Sequence, residues 1–325
     1  MRIGLLGAGQ MGRCHAGILA RSGGVEIVGA LDADAGRAES LAATHGGRVV
    51  PDLERLLELQ PDAVFVCTPN TEHADAACAL LERGIHVFCE KPMATNLDDA
   101  RRVVEAAEAS SARLQVGFNR RFAPVYAAAR RRLEHGFVVD AAHVKINRGE
   151  LERPRWVGDR SLTGGFLYES TIHLLDLMRY LLGEIDAVRA LGRSNRYDET
   201  DDYAMLLEFE SGLVATFHSC AHAGWMPPCE SVELYGDRAS LVTEAVDKLR
   251  FLPGLDWPVE ALDCRTVSFE ERWGYEAEDT AFLAALDTES EPAVTAHDGL
   301  RAVMLIEAVR QSVLAQGKRV MLDRS

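Results

Sequence analysis

The tightest constraint on the fold is Gly7-Ala8-Gly9-Gln10-Met11-Gly12, which stands between an apolar run at 3–6 and a helical pattern. A glycine hexad alone is a weak signal. This one has a strand before it, a helix after it and Asp32 about 20 positions on, the context a dinucleotide-binding turn requires. The first glycine permits the tight turn, the second lets a pyrophosphate approach the backbone, and the third allows close packing of helix on strand. The helix start then offers N–H groups and the positive end of its dipole, with Gln10 and Met11 among the expected contacts. Asp32 closes the second strand, where its carboxylate can accept hydrogen bonds from both adenosine ribose hydroxyls and repel a 2′-phosphate. Ala33-Asp34-Ala35 follows it, with no arginine, so the sequence predicts NAD rather than NADP.

From residue 1 to about 120, short apolar strands at 3–6, 25–31, 63–67, 86–89 and 114–118 alternate with helices such as 72–83 and Leu97–Ala109. Asn96 is placed to cap the latter helix, with Asp98 and Asp99 in its first turn. Such alternation predicts an α/β fold, a doubly wound parallel sheet. Cys67-Thr68-Pro69-Asn70 ends one of these strands at the same sheet edge, and its backbone is expected along the pyrophosphate or nicotinamide ribose. His73 starts the next helix, either as a further cofactor contact or as a cap or surface histidine. After Phe122 the pattern changes. Helices at 124–135 and 169–182 flank strand-like segments at 138–147, 187–193 and 203–218, with hairpin signals at Glu210-Ser211-Gly212 and Tyr235-Gly236-Asp237. A second, α+β domain on an antiparallel or mixed sheet follows, with a last helix over 299–314. The expected division is 1–121 and 122–325.

Two domains suit 325 residues at roughly 150 per domain. With 47% hydrophobic and 26% charged residues, the composition is that of an ordinary soluble protein. No apolar run approaches the roughly 18 residues of a membrane span, and the strand starting at Arg2 leaves no room for a signal peptide. Seven scattered cysteines with no Cys-x-x-Cys pair suit reduced thiols in a cytoplasm. The net charge of −15 argues against nucleic acid or an anionic membrane as partner and would suit a cationic substrate.

The strand at 86–89 runs into Glu90-Lys91-Pro92. It delivers a lysine at the carboxyl end of a parallel strand, where open α/β sheets keep their ligands. The proline that follows disfavours helical geometry at Lys91. A strand-end lysine reaching solvent is the competing reading.

With GLLGAGQMGRCHA, CTPNTEH, CEKP, GFNRRF and GGFLYESTIHLLD in this order, the chain resembles the Gfo/Idh/MocA oxidoreductases, most of all the inositol 2-dehydrogenase-type members. The resemblance implies a Rossmann domain followed by an α+β domain with a large, open, mostly antiparallel sheet that commonly mediates oligomers, here a homo-dimer or homo-tetramer. It also implies hydride transfer between a nicotinamide and a secondary ring alcohol, with Lys91 as an active-site lysine and Glu90 beside it at the cofactor. The second half of the site would be the helix start carrying Glu169 and His173, four apart and so on one helix face. Inositol-type members usually carry aspartate where this chain has Glu169. A buried Glu–His pair that merely stabilises the helix is the alternative.

In that chemistry NAD⁺ takes the hydride and His173 is the candidate base, since an imidazole pKa of about 6.5 suits proton transfer near neutrality. Lys91 would stabilise the developing alkoxide, and Glu169 would bind a neighbouring hydroxyl or ammonium, or orient His173. Asn119, Arg120 and Arg121 follow the strand at 114–118; Asn119 is expected at the substrate and Arg120 at the cofactor. Trp156, Asp159 and Trp273 are pocket-wall candidates, with core packing competing for each tryptophan. His218, Cys220 and His222 alternate near Cys229, a conceivable zinc set; hydride transfer needs no metal and none is expected. The expected substrate is a small polyol: a cyclitol, sugar or aminosugar. A silent NAD(P)-binding regulatory protein and a diol dehydrogenase are the alternatives.

Overall fold

The computed structural model describes residues 1–149, 155–224 and 226–323. It forms two compact units, Met1–Phe118 with Tyr275–Arg301, and Asn119–Gly274 with Ala302–Ser325. The single division expected at 121/122 therefore omits a return of the chain: residues 275–301 belong with the N-terminal unit.

The first unit runs β1 (Arg2–Leu6), α1 (Gln10–Leu19), β2 (Glu26–Leu31), α2 (Ala35–His45), β3 (Arg48–Val49), α3 (Leu53–Leu57), β4 (Ala63–Val66), α4 (His73–Leu81), β5 (His86–Glu90), α5 (Leu97–Ala109) and β6 (Leu114–Gly117). All six strands are parallel in the order β3-β2-β1-β4-β5-β6, the doubly wound arrangement. The two-residue β3 went unanticipated because its residues are both exposed and carry no apolar pattern. β4 and β6 are buried along their whole length, as strands covered on both faces must be. α1 turns Gly12, His15, Ala16, Ile18 and Leu19 inward, a helical stripe with one titratable side chain in it. Asn96 caps α5 as expected, its side chain accepting from the Asp99 N–H.

The second unit contains α6 (Pro124–Glu134), β7 (Ala141–Asn147), α7 (Arg160–Thr163), α8 (Ile172–Leu182), β8 (Ile185–Arg193), β9 (Asp202–Phe209), β10 (Val214–Cys220), β11 (Glu230–Gly236), β12 (Ala239–Glu244), β13 (Lys248–Leu252), β14 (Glu260–Asp263) and α9 (Phe269–Arg272). α10 (Tyr275–Asp287) belongs to the first unit, and its Phe282 packs edge-on against the stacked pair Phe65 and Phe88. α11 (Ala296–Leu314), three residues longer at its start than expected, and β15 (Val320–Met321) complete the chain.

The second sheet has nine strands in the order β14-β13-β12-β11-β7-β10-β9-β8-β15. Every pairing is antiparallel except β7 with β10. Alternating burial along β9 and β10 follows their alternating composition. The β11–β12 hairpin turns on Asp237 and Arg238, both at positive φ (46° and 63°), one residue beyond the glycine of the sequence signal. Among the described residues no helix is long and apolar enough to cross a membrane.

Candidate functional site

In the first unit, β1, β4 and β5 lie side by side. The Gly7 turn, the Cys67–Asn70 turn and Lys91 therefore succeed one another along the carboxyl edge of the sheet. Strand order reverses between β1 and β4, the position where open α/β sheets bind ligands.

Gly7 has φ +100°, and its N–H donates to the Leu31 carbonyl at 2.7 Å. A Cβ there would lie 2.3 Å from the Cys67 carbonyl oxygen, whereas a Cβ on Gly9 would meet no atom within 4 Å. Gly7 thus closes the turn and Gly9 leaves its outer side open. α1 starts with no side-chain cap, in contrast to α2 and α5, which Asp34 and Asn96 cap. An uncapped helix start with open space before it fits a bound anion. Asp32 braces the turn: Oδ2 accepts from the Ala8 N–H at 2.7 Å and Oδ1 from the Asp34 N–H at 2.8 Å. A carboxylate has about four lone-pair sites, so it retains capacity for ribose hydroxyls. The Thr68 hydroxyl is buried with no hydrogen-bond partner among the described residues, a donor the cofactor can use. These features fit NAD, with Gly7, Gly9, Gln10, Met11, Gly12, Asp32 and the 67–70 turn as the residues that would hold it.

His73 is neither a cap nor a surface residue. It is buried, with Nε2 2.9 Å from the Thr68 carbonyl and Nδ1 2.8 Å from that of Pro92. It therefore braces the 67–70 turn against Lys91-Pro92. Burial pushes its pKa below the ordinary histidine value although both carbonyls oppose this. Lys91 is half-buried, and the Lys91–Pro92 peptide is cis. Glu90, expected at the cofactor, points inward instead. One oxygen accepts from the Lys91 N–H at 3.0 Å and the other lies 3.1 Å from His15 Nε2. The carboxylate is turned by a charge the sequence did not advertise: His15 sits within the apolar stripe of α1, and its other partner, Asp279, is 264 positions away.

In the second unit the Asn119–Phe122 turn carries three buried polar side chains. Asn119 donates to the Trp273 carbonyl and accepts from Arg120, so both ends of its amide are engaged within the unit. Arg120 is likewise directed inward. It pairs with buried Glu230 at 3.2 Å and lies 4.3 Å from the centre of the Trp273 ring. Arg148 reaches the same Glu230 oxygen at 2.9 Å, and Tyr126 donates to the other at 3.1 Å. Burial would raise the Glu230 pKa, but the two guanidinium charges outweigh it and hold the carboxyl below its usual range. Arg121 makes a two-pronged pair with buried Asp176 at 2.8 and 2.6 Å, joining the turn to α8.

Glu169 and His173 flank a change of helix type. Residues Leu167–Thr171 form a π turn and α8 begins at Ile172, so their spacing is not that of an uninterrupted α-helix. Such turns recur at functional sites. His173 is 6% exposed and Glu169 half-buried, while Leu174, Leu177, Met178 and Leu181 fill the core as expected. Trp156 is 45% exposed, against the packing reading, and the guanidinium groups of Arg120 and Arg148 lie 4.3 and 5.6 Å from the centre of the Trp273 ring. Asp159 caps α7. His218 is engaged by Asn147 and Asp202 at 2.9 and 3.0 Å, and no three His, Cys, Asp or Glu side chains among the described residues gather as a metal cage.

Comparison with known proteins gives two consecutive matches: "Oxidoreductase family, NAD-binding Rossmann fold" over residues 1–118, and "Oxidoreductase family, C-terminal alpha/beta domain" over 130–322. An inositol 2-dehydrogenase of Rhizobium meliloti (strain 1021) is 29% identical, covering 96% of this chain and 97% of its own. Inositol 2-dehydrogenase 4 of Saccharopolyspora erythraea is 36% identical over 71% of each chain. A levoglucosan dehydrogenase solved with NADH and levoglucosan shares the fold at a TM-score of 0.91 and 21% identity, covering 100% of both chains.

Proposed function

Because the chain belongs to the Gfo/Idh/MocA family of NAD-dependent oxidoreductases, we propose that it oxidises a secondary ring hydroxyl of a cyclitol, sugar or aminosugar to the ketone. NAD⁺, held by the Gly7–Gly12 turn, Asp32 and the 67–70 turn, would supply the acceptor for the hydride of the carbinol carbon. Lys91 hydrogen-bonds the reacting oxygen and stabilises its developing negative charge. His173 takes the hydroxyl proton, and Glu169 holds a neighbouring hydroxyl or ammonium group. The observation that carries this reading is Lys91 itself, held by Glu90 at the carboxyl end of β5 and next along the edge from the turns that fit NAD. The inositol dehydrogenases among the relatives support a cyclitol. Glu169 and the net charge of −15 support an amino-substituted ring.

The test is NADH formation, followed by absorbance, across inositols, hexoses, sugar nucleotides and aminoglycosides, repeated with NADP⁺. Lys91→Ala should lower kcat by roughly 100- to 1000-fold, the loss expected for one oxyanion donor, while NAD⁺ still binds. Turnover unchanged in Lys91→Ala, or no turnover of any polyol by the intact protein, would favour a regulatory NAD-binding protein. Inert amino sugars beside reactive neutral inositols would remove the amino-substituted substrate alone. We also read the open face of the nine-stranded sheet, where Leu191 is 61% and Val214 48% exposed, as the surface of a homo-oligomer, to be checked by light scattering.

A further inference from the structure

The first unit buries one imidazole between two carboxylates. His15 Nδ1 lies 2.8 and 3.0 Å from the two oxygens of Asp279, and Nε2 lies 3.1 Å from Glu90 Oε1. The second Glu90 oxygen accepts the Lys91 N–H at 3.0 Å. Phe65, Phe88 and Tyr275 surround the ring, with centroids at 5.5, 4.9 and 6.0 Å, and His15 and Asp279 are 0% exposed. A neutral imidazole has one N–H and one acceptor nitrogen. With a carboxylate at each nitrogen, only the imidazolium satisfies both sides. Burial alone would lower the His15 pKa, but the charge of Asp279 and the hydrogen bonds to both carboxylates outweigh it and hold the ring well above its ordinary value. Burial would raise Glu90, yet its bond to His15 holds it below the usual range; Asp279, pushed up by burial, is the less acidic of the two.

The neighbouring strand leaves the space that Glu90 fills. A Cβ on Gly117 would come within 3.3 Å of the Glu90 Cδ and Oε2, so a side chain at this place on β6 would press the carboxyl group aside by a few tenths of an ångström.

We propose that His15 is a positioning residue: clamped by Asp279, it keeps Glu90 ionised and directed at the Lys91 N–H, so that one buried relay, reaching from α1, sets the lysine beside the NAD turn. This deepens the catalytic reading of Lys91 and rests on it. It assigns three residues on α1, β5 and α10 to one task that their positions in the chain do not foretell. Asp279 orients the imidazolium, His15 supplies the charge, and Glu90 passes the constraint to Lys91.

The experiment reads Lys91 without requiring turnover. His15→Gln, Glu90→Gln and His15→Gln/Glu90→Gln are treated with acetic anhydride across a pH series, and labelling of Lys91 is measured by mass spectrometry against Lys145, Lys248 and Lys318 as internal references. NADH dissociation constants are measured alongside. Glu90→Gln removes the carboxylate beside Lys91, and His15→Gln leaves that carboxylate buried without its counter-charge and so driven toward its neutral form. Lys91 acetylation should therefore change at least about threefold, in the same direction, in both single variants, with the three reference lysines unchanged. Because His15 acts through Glu90, the double variant should match Glu90→Gln rather than multiply the two effects. Leu41→Ala, in the core of the same unit, should lower stability and leave Lys91 labelling at the intact protein's rate. Where a polyol substrate is found, kcat should fall roughly tenfold to a hundredfold with KM for NAD⁺ within about threefold, the pattern of a misplaced group. Lys91 labelling unchanged in His15→Gln, or independent multiplicative effects in the double variant, would overturn the proposal. A protein that turns over no polyol yet shows the labelling pattern keeps the relay and loses the catalytic reading.

Discussion

Replacing Gly9 by alanine should separate cofactor binding from folding. Gly9 has φ −69° and ψ −160°, extended backbone that alanine adopts, and its added Cβ meets nothing within 4 Å. Folding stability should therefore change by less than about 1 kcal/mol, with the smaller entropy of the unfolded chain acting in the stabilising direction. The same methyl group occupies the open side of the turn and would hold a pyrophosphate away by about one carbon–carbon bond, ~1.5 Å. Losing one charge-assisted hydrogen bond from the start of α1 costs about 1.5–3 kcal/mol, so NADH should bind roughly 10- to 150-fold more weakly. Gly7→Ala is the opposite case. Its φ of +100° disfavours any side chain, and the Cβ would stand 2.3 Å from one backbone oxygen and 2.5 Å from its carbon. Left-handed strain and overpacking together cost about 2–5 kcal/mol. Urea unfolding followed by tryptophan fluorescence, paired with NADH titration, distinguishes the two. Wild-type NADH affinity in Gly9→Ala, or a stability loss equal to that of Gly7→Ala, would refute the reasoning.

Asp32→Ala strips the acceptor from the Ala8 and Asp34 N–H groups; it should cost about 1–3 kcal/mol and raise the NADP⁺ to NAD⁺ ratio of binding constants. Stability should decline as pH rises above about 6.5, the ordinary value from which His15 is raised. The folded chain then keeps a proton the unfolded chain has released, and unfolding free energy falls until the elevated His15 value is passed. On the acid side, Glu90 is held below its ordinary value of 4.5, so its contribution is present above that pH and lost as pH falls through the depressed value. Urea midpoints across pH should show both limbs, and His15→Gln should flatten the alkaline one. Glu230→Ala leaves Arg120 and Arg148 without their shared counter-charge and should cost about 3–5 kcal/mol, with Glu230→Gln recovering part of it in the same unfolding assay.

The residues that could be read from the chain are those whose chemistry is local. Gly7, Gly9 and Gly12 are dictated by a turn of six residues, Asn96 by the helix it caps, and the burial of β4 and β6 by their own apolar runs. The same locality explains what the chain does not display. Arg120 and Asn119 look like site residues because they follow a strand, yet their partners Glu230 and Trp273 lie more than a hundred positions on. Glu169 and His173 stand four apart, and the π turn at Leu167–Thr171 alters the α-helical spacing between them with no mark in the composition.

Sequence by itself determined the doubly wound first domain, its NAD turn and Lys91 at a strand end, since turn sterics, capping and periodic burial act within a few residues. Tertiary structure alone decided what surrounds that lysine. His15, Glu90 and Asp279 meet because α1, β5 and α10 pack around one aromatic cluster, and β7 joins β10 in parallel because the sheet is assembled across long connections. Charges buried at such junctions are paired through space, where low dielectric makes an unmatched ion costly, and spacing along the chain carries no record of the match.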